Sequence, residues 1–313
     1  MFEKFNNKTI LIAGLTASGK SQLALDIARS MNAGKGGAQE AVIINADSMQ
    51  VYDGLCVLTA RPPATDLAQT PHYLYGFVDP ACRFSTGAWL KAVEKLLQQP
   101  ELDNKTCIFV GGTGLYFHAL LGGLAEIPPI SAAVRQKGQN LLAEKGVAGL
   151  YAALQSSDSV MATRLAPQDG QRLMRAWEVM EETGKSLLYW QSQRTRLLLP
   201  AAKLQKLVLL PPPGAIYARI NERVDKMVEQ GALAEVEALR ARRLDPHLPA
   251  MKAAGMREFC AYLDGEIDLL AAIDKTKQAT RHYAKRQRTW FSRRLSADWQ
   301  VFAAAAAAGC VIF

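Results

Sequence analysis

Gly14-Leu15-Thr16-Ala17-Ser18-Gly19-Lys20-Ser21 satisfies G-x-x-x-x-G-K-[ST], the spacing of a phosphate-binding P-loop. The apolar run Thr9–Ala13 before it reads as a buried strand, and Leu23, Ala24, Ile27 and Ala28 recur at helical spacing after it. Strand, glycine-bearing turn and helix N-terminus together make a pocket of backbone N–H groups for an anion. Lys20 adds a point charge, and the Ser21 hydroxyl is the candidate ligand for Mg²⁺, the expected cofactor.

Outward from this loop, Ala41–Asn45 reads as a second buried strand that ends at Asp47, and Thr106–Val110 as a third that ends at Gly111-Gly112-Thr113-Gly114. Ser85 or Thr86 caps a helix expected over 87–98. Strands alternating with helices predict an α/β fold, a doubly wound parallel sheet with ligands at the strand C-terminal ends. On that rule 14–21, 47–50 and 111–114 face one crevice. From about Ile130 to Leu198 the periodicity is helical throughout, which predicts a helical insertion. The organisation expected is a P-loop core over 1–128, an insertion over 129–200, and the rest of the core over 201–313. That last part holds a strand at Lys206–Leu210, a helix from Ala215 to Arg240 broken near Gly231, a short helix over 251–263 and a basic helix over 268–295.

Forty-nine per cent hydrophobic and 21% charged residues suit an ordinary globular chain, and a net charge of +8 favours an anionic partner. Five scattered cysteines with no C-x-x-C pair argue against a disulfide framework or a zinc site. The N-terminus shows no signal-peptide core and no segment is long and apolar enough to span a bilayer, so no membrane contact and a cytoplasmic location are expected. Gly34–Gly37 reads as a loop, and Ala303–Ala308 as a low-complexity tail.

Four stretches together resemble the bacterial tRNA dimethylallyltransferases, also called tRNA isopentenyltransferases: 14–21, Asp47-Ser48-Met49-Gln50-Val51-Tyr52, Val110-Gly111-Gly112-Thr113-Gly114-Leu115-Tyr116, and Asp169-Gly170-Gln171-Arg172-Leu173-Met174-Arg175-Ala176-Trp177-Glu178. Pro71-His72, Asp79-Pro80, Ala254-Gly255-Met256-Arg257-Glu258 and Arg281-His282-Tyr283-Ala284-Lys285-Arg286-Gln287 match more weakly and in the same order. Leu58 and Arg61 stand where such proteins usually show Gly and Lys, and Asp53 where a basic residue is common. No zinc-finger pattern follows the core.

The resemblance implies transfer of a dimethylallyl group from dimethylallyl diphosphate to N6 of adenine 37, in the anticodon stem-loop of tRNAs reading codons that begin with U. An exocyclic adenine amine is a poor nucleophile and needs a base, for which Asp47 is placed; Asp47 as a Mg²⁺ ligand is the other reading. Arg257 is the candidate cation on the departing diphosphate, and Thr113 adds a hydroxyl on the same side. Without the family, Arg257 reads as a surface ion-pair partner and Thr113 as the closure of a turn. Contacts to tRNA are implied at Asp47, Ser48, Met49, Gln50 and Gly114, at Gln171, Arg172, Leu173, Met174 and Arg175 in the insertion, and at Lys252 and Gly255. Arg281, Lys285 and Arg288 share one face of the last helix at i, i+4, i+7, as a phosphate-tracking arm or an ordinary solvated face. The chain is expected to act as a monomer. A P-loop kinase or transferase acting on a small molecule or free adenine nucleotide is the competing reading, but a small acceptor needs neither the insertion nor the basic helix. A non-catalytic RNA-binding protein is the third, opposed by the intact Lys20, Ser21 and Asp47.

Overall fold

The computed structural model describes residues 9–32, 40–193, 197–199 and 204–304. The Gly34–Gly37 loop, Cys310 and residues 305–308 of the alanine tail lie outside them. Two compact units are present, one of residues 1–121 with 198–313 and the other of residues 122–197. The insertion thus starts seven residues before the expected boundary, at the end of a helix, and ends three before it.

The first unit is built on a six-stranded sheet: β1 (Thr9–Gly14), β2 (Ala41–Asn45), β3 (His72–Tyr73), β4 (Thr106–Gly111), β5 (Leu204–Leu209) and β6 (Gln300–Phe302). The spatial order is β3-β2-β4-β1-β5-β6 and every pairing is parallel. Strand polarity of two sorts the core. Ile10, Ile12, Ile43, Ile108, Val110, Leu207 and Leu209 pack on one face with Leu23, Ala24 and Ile27 of the helix α1 (Lys20–Asn32). Leu11, Ala13, Val42, Ile44, Phe109 and Val208 face the opposite, larger core. Both faces are covered, so β1, β2 and β4 read as nearly continuous apolar runs, while β5 opens with the half-buried Gln205 and Lys206 before Leu207–Leu209. The edge strands β3 and β6 are too short to carry a pattern, and the sequence predicts neither.

Helices α2 (Ala64–Leu67), α3 (Thr86–Leu97) and α4 (Gly114–Gly122) connect the strands of the first half. The Ser85 side chain accepts the Ala88 N–H at the start of α3. The second unit consists of α5 (Ala132–Ser157), α6 (Ser159–Thr163), α7 (Gly170–Thr183) and α8 (Leu187–Ser192), and no strand occurs in its described residues. It has its own core, centred on Leu150, Leu154, Leu173, Ala176 and Val179. Asp169 caps α7 by accepting the Arg172 N–H, and Gly184 ends it at φ 64°. Back in the first unit follow α9 (Pro213–Glu229), α10 (Ala232–Ala241), α11 (Met256–Leu263) and α12 (Leu269–Arg294). The break between α9 and α10 falls at Gly231, at φ 95°. Among the described residues no helix is long and apolar enough to cross a membrane.

Candidate active site

The chain leaves β1 at Gly14, where an added Cβ would lie 2.8 Å from Ser18 Oγ and 3.1 Å from Leu209 Cβ. Ala17 (φ 59°) and Gly19 (φ 89°) then take left-handed conformations that fold the loop back over the strand end. For Ala17 this costs about 1 kcal/mol, strain of the kind that collects at ligand loops. Three loop amides are already satisfied. The Leu15 N–H donates to the Leu209 carbonyl, the Ser18 N–H to the Leu15 carbonyl, and the Thr16 N–H to Gln287 Oε1 at 2.9 Å. Among the described residues no backbone carbonyl takes the N–H groups of Ala17, Gly19, Lys20 or Ser21. Those four, with the Gln22 N–H that no backbone carbonyl takes either, are the donors left for an anion.

Lys20 Nζ folds back to the Leu15 carbonyl at 3.2 Å. Burial pulls its pKa down to about 8, opposed by the nearby Asp47 charge and assisted by Arg223. A buried lysine with a depressed pKa is protonated only below that value, and a bound dianion holds the proton on. In the free protein, kcat/KM for an anionic donor should therefore fall about tenfold per pH unit above about pH 8. The contribution to stability has the opposite sense. The unfolded chain holds this proton to higher pH than the folded one, so Lys20 makes the fold more stable as pH rises from about 8 toward 10.5. Rates over pH 6.5–9.5 beside melting curves check both signs. A flat kcat/KM across that range would remove Lys20 from donor binding.

Asp47 follows β2 and is held on both sides. Its N–H donates to Asn45 Oδ1 at 2.8 Å, while Asn45 Nδ2 donates to the Asp47 and Leu74 carbonyls. Its own Oδ1 accepts the Met49 N–H at 3.0 Å, and Oδ2 stands 3.3 Å from where a Cβ on Gly112 would be. The glycines after β4 answer to close packing. A Cβ on Gly111 would come within 2.0 Å of the Ala46 carbonyl oxygen, and one on Gly114 within 2.1 Å of the Trp290 ring. Gly114 thus serves to admit Trp290. The Thr113 hydroxyl accepts the Ser48 N–H at 2.8 Å and donates to Ser48 Oγ at 3.1 Å, fixing the turn that carries Asp47.

Thr16, Asp47 and Ser48 open into a cavity of about 750 Å³, whose other walls include Arg223, Lys252, Arg257, Tyr283 and Arg286 with the apolar Leu58, Met251 and Met256. Arg223 lies on α9 and, among the described residues, its buried Nε has no hydrogen-bond partner. Burial lowers its pKa below the ordinary guanidinium value, and the Asp47 charge opposes the fall. The Tyr283 phenol is pushed far above its ordinary pKa, first by burial and then by Asp47, so it stands in the cavity as a neutral hydroxyl. Lys20, Arg223 and Asp47 leave one unit of positive charge in excess, an arrangement that suits an anion.

Arg257 lines this cavity and is exposed. Lys252 does so too, while Gly255 is buried and takes φ 94°, where a Cβ would crowd Leu58 Cδ2 at 3.1 Å. Met49 lines the cavity, whereas Gln50 Nε2 donates to the Thr59 and Ala60 carbonyls. On α7, Gln171, Arg172 and Arg175 are exposed and Arg172 pairs with Asp169 at 3.3 Å. Leu173 is 0% exposed inside the insertion core, and Met174 packs against that core, so Leu173 supports this surface rather than forming it. On α12 the expected triad divides. Arg281 donates to Asn221 Oδ1 at 2.7 Å and Arg288 to the Pro211 carbonyl, which leaves Lys285 exposed. The same helix instead turns Tyr283, Arg286 and Gln287 toward the cavity and the loops around it.

The sequence reading passes over Arg223, Arg286 and Gln287 as site residues. For Arg223 a signal exists: it lies three residues after Ile220 and next to Val224, a charge beside the apolar stripe of α9. Gln287 and Arg286 carry no such mark, because they sit within a run of basic residues.

The sequence profile of the family described as IPP transferase matches residues 50–294. A tRNA dimethylallyltransferase of Bartonella henselae is 50% identical over 291 residues, covering 93% of this chain and 97% of its own. One from Bartonella quintana is 51% identical over 289 residues, 92% of this chain and 95% of its own. Among solved structures, the full-length tRNA isopentenylpyrophosphate transferase of Bacillus halodurans has TM-score 0.64 at 30% identity, over 95% of this chain and 90% of that one. A eukaryotic dimethylallyltransferase acting on tRNA has TM-score 0.80 at 27% identity, over 96% of this chain and 75% of that one.

Proposed function

This chain belongs to the tRNA dimethylallyltransferase family, and from that premise we propose how its residues divide the reaction. The enzyme transfers a dimethylallyl group from dimethylallyl diphosphate to N6 of adenine 37, in tRNAs reading codons that begin with U, and releases diphosphate. The single observation that carries the division of roles is that the P-loop residue Thr16, the carboxylate of Asp47 and the cation Arg223 line one cavity.

The donor diphosphate takes the free amides of Ala17, Gly19, Lys20 and Ser21, with the Lys20 ammonium beside it. Its allylic carbon then extends past Thr16 into the cavity, against Asp47. The adenine amine attacks that carbon as the carbon–oxygen bond to diphosphate breaks, and the amine's proton passes to Asp47. Arg223 and Lys20 offset the charge that collects on the leaving group, in a site where little water screens them. Arg257, exposed on the cavity wall, is the third cation in reach of it. Thr113 acts one step back, through the Ser48 turn that aims Asp47.

The residues present fit Mg²⁺. Among the described residues no cluster of three or more His, Cys, Asp or Glu could hold a metal. The Ser21 hydroxyl, exposed at the start of α1, is a single hard oxygen ligand that diphosphate oxygens and water would complete, the manner in which Mg²⁺ binds. Bound there, the ion would neutralise part of the diphosphate charge.

The target base must leave its stack to reach the cavity. We assign Gln171, Arg172 and Arg175 on α7 to the anticodon stem-loop, and Lys285, Lys252 and Arg286 to phosphates near the base. The protein acts as a monomer in the cytoplasm, where its tRNA substrates are. Incubation with labelled dimethylallyl diphosphate and either bulk tRNA or AMP tests the assignment. Label should enter tRNA at an adenine; label in AMP at a comparable rate would favour the small-acceptor reading.

A further inference from the structure

Gln287 is 5% exposed and spans two loops. Its Oε1 accepts the Thr16 N–H at 2.9 Å, and its Nε2 donates to the Gly112 carbonyl at 2.9 Å. Tyr283, one turn earlier on α12, stands beside the same side chain. A Cβ on Gly112 would lie 2.2 Å from Gln287 Nε2, so the amide seats only against a glycine. Helix α12 thereby ties the loop after β1 to the loop after β4, strands that pair directly in the sheet.

The bond to Thr16 takes a donor out of the P-loop. The N–H groups that no backbone carbonyl among the described residues takes, those of Ala17, Gly19, Lys20, Ser21 and Gln22, adjoin or open α1, whereas Thr16 stands on the cavity side with Asp47. Two phosphates can be satisfied by these amides and Lys20. A third, continuing toward the cavity, would meet an N–H already in use and the negative charge of Asp47. Burying a phosphate oxygen with no donor is costly, and a charge-assisted bond is among the stronger ones a site can withhold. We infer that Gln287 is a positioning residue that sets the P-loop to accept a diphosphate and to reject a triphosphate, by occupying the Thr16 N–H. The inference rests on the proposed reading of this loop as a diphosphate-ester site. It supplies the repulsive half of specificity that a loop shared with triphosphate-binding proteins would otherwise lack.

Calorimetric titration of the full chain with inorganic diphosphate and with inorganic triphosphate, at fixed Mg²⁺, tests it. The wild type should bind diphosphate more tightly. Gln287→Ala frees the Thr16 N–H and should raise triphosphate affinity relative to diphosphate by about tenfold, the size of one hydrogen bond to a charged group. Gln287→Glu keeps an acceptor for the Thr16 N–H while losing the donor to Gly112, so its ratio should stay at or below that of the wild type. Equal affinities in the wild type, an unchanged ratio in Gln287→Ala, or a ratio raised in Gln287→Glu would each overturn the inference. If Gln287→Ala proves unfolded in a melting curve, the Gln287→Glu ratio decides alone. These titrations need no turnover, so absence of prenyl transfer in the wild type would count against the proposed function and leave this result standing.

Discussion

Asp47→Asn should lower kcat for prenyl transfer by about three orders of magnitude, with tRNA affinity and thermal stability close to those of the wild type. The substitution keeps the shape of the side chain and an Oδ1 that can still accept the Met49 N–H, now made at 3.0 Å. The Asn45 bonds that hold the Asp47 backbone do not involve the carboxylate at all. What is lost is the proton acceptor and one negative charge. If Asp47 acted chiefly as a metal ligand, raising Mg²⁺ would restore a large part of the rate, because mass action can compensate a weakened site. Rates of the variant over a wide Mg²⁺ range separate the two, and recovery beyond about tenfold would reassign Asp47 to the metal.

That Asp47 could be found without coordinates, and Arg223 was not, follows from how each is built. Asp47 stands two residues past a strand that is buried on both faces, so the apolar run 41–44 and the polar residues after it announce the element and its end together. The same holds for β1 and β4, whereas β5 is apolar and buried only over Leu207–Leu209, after Gln205 and Lys206. The strands β3 and β6, of two and three residues, are strands only because a neighbour pairs with them. Helix ends were legible where a side chain or glycine makes them, as at Ser85 and Gly231. The basic face of α12 was legible as a pattern but not as an allocation. Arg281 and Arg288 differ from Lys285 because Asn221 and the Pro211 carbonyl happen to lie beside them, and both partners are distant in sequence. Gln287 likewise gains its meaning from Thr16 and Gly112, 271 and 175 residues away.

Arg223→Met should cut kcat/KM for the donor by about a hundredfold or more while leaving the thermal midpoint unchanged or higher. Removal of one preorganised donor to developing negative charge typically costs that much in rate. The fold has little reason to miss the guanidinium. Among the described residues its buried Nε has no hydrogen-bond partner, and burial already pushes its pKa down. A charge left in that state is a liability to the empty protein, and methionine fills a similar volume without it. Lys20 responds as well. Arg223 is one of the influences that depress its pKa, so the variant should hold the Lys20 proton to higher pH and shift the alkaline limb of kcat/KM upward from about 8. An ordinary surface or packing arginine would give neither the activity loss without destabilisation nor the displaced pH limb. Were Arg223→Met to melt several degrees lower and keep its donor kinetics, the cation would belong to the fold, and the charge on the leaving diphosphate would fall to Lys20 and Arg257.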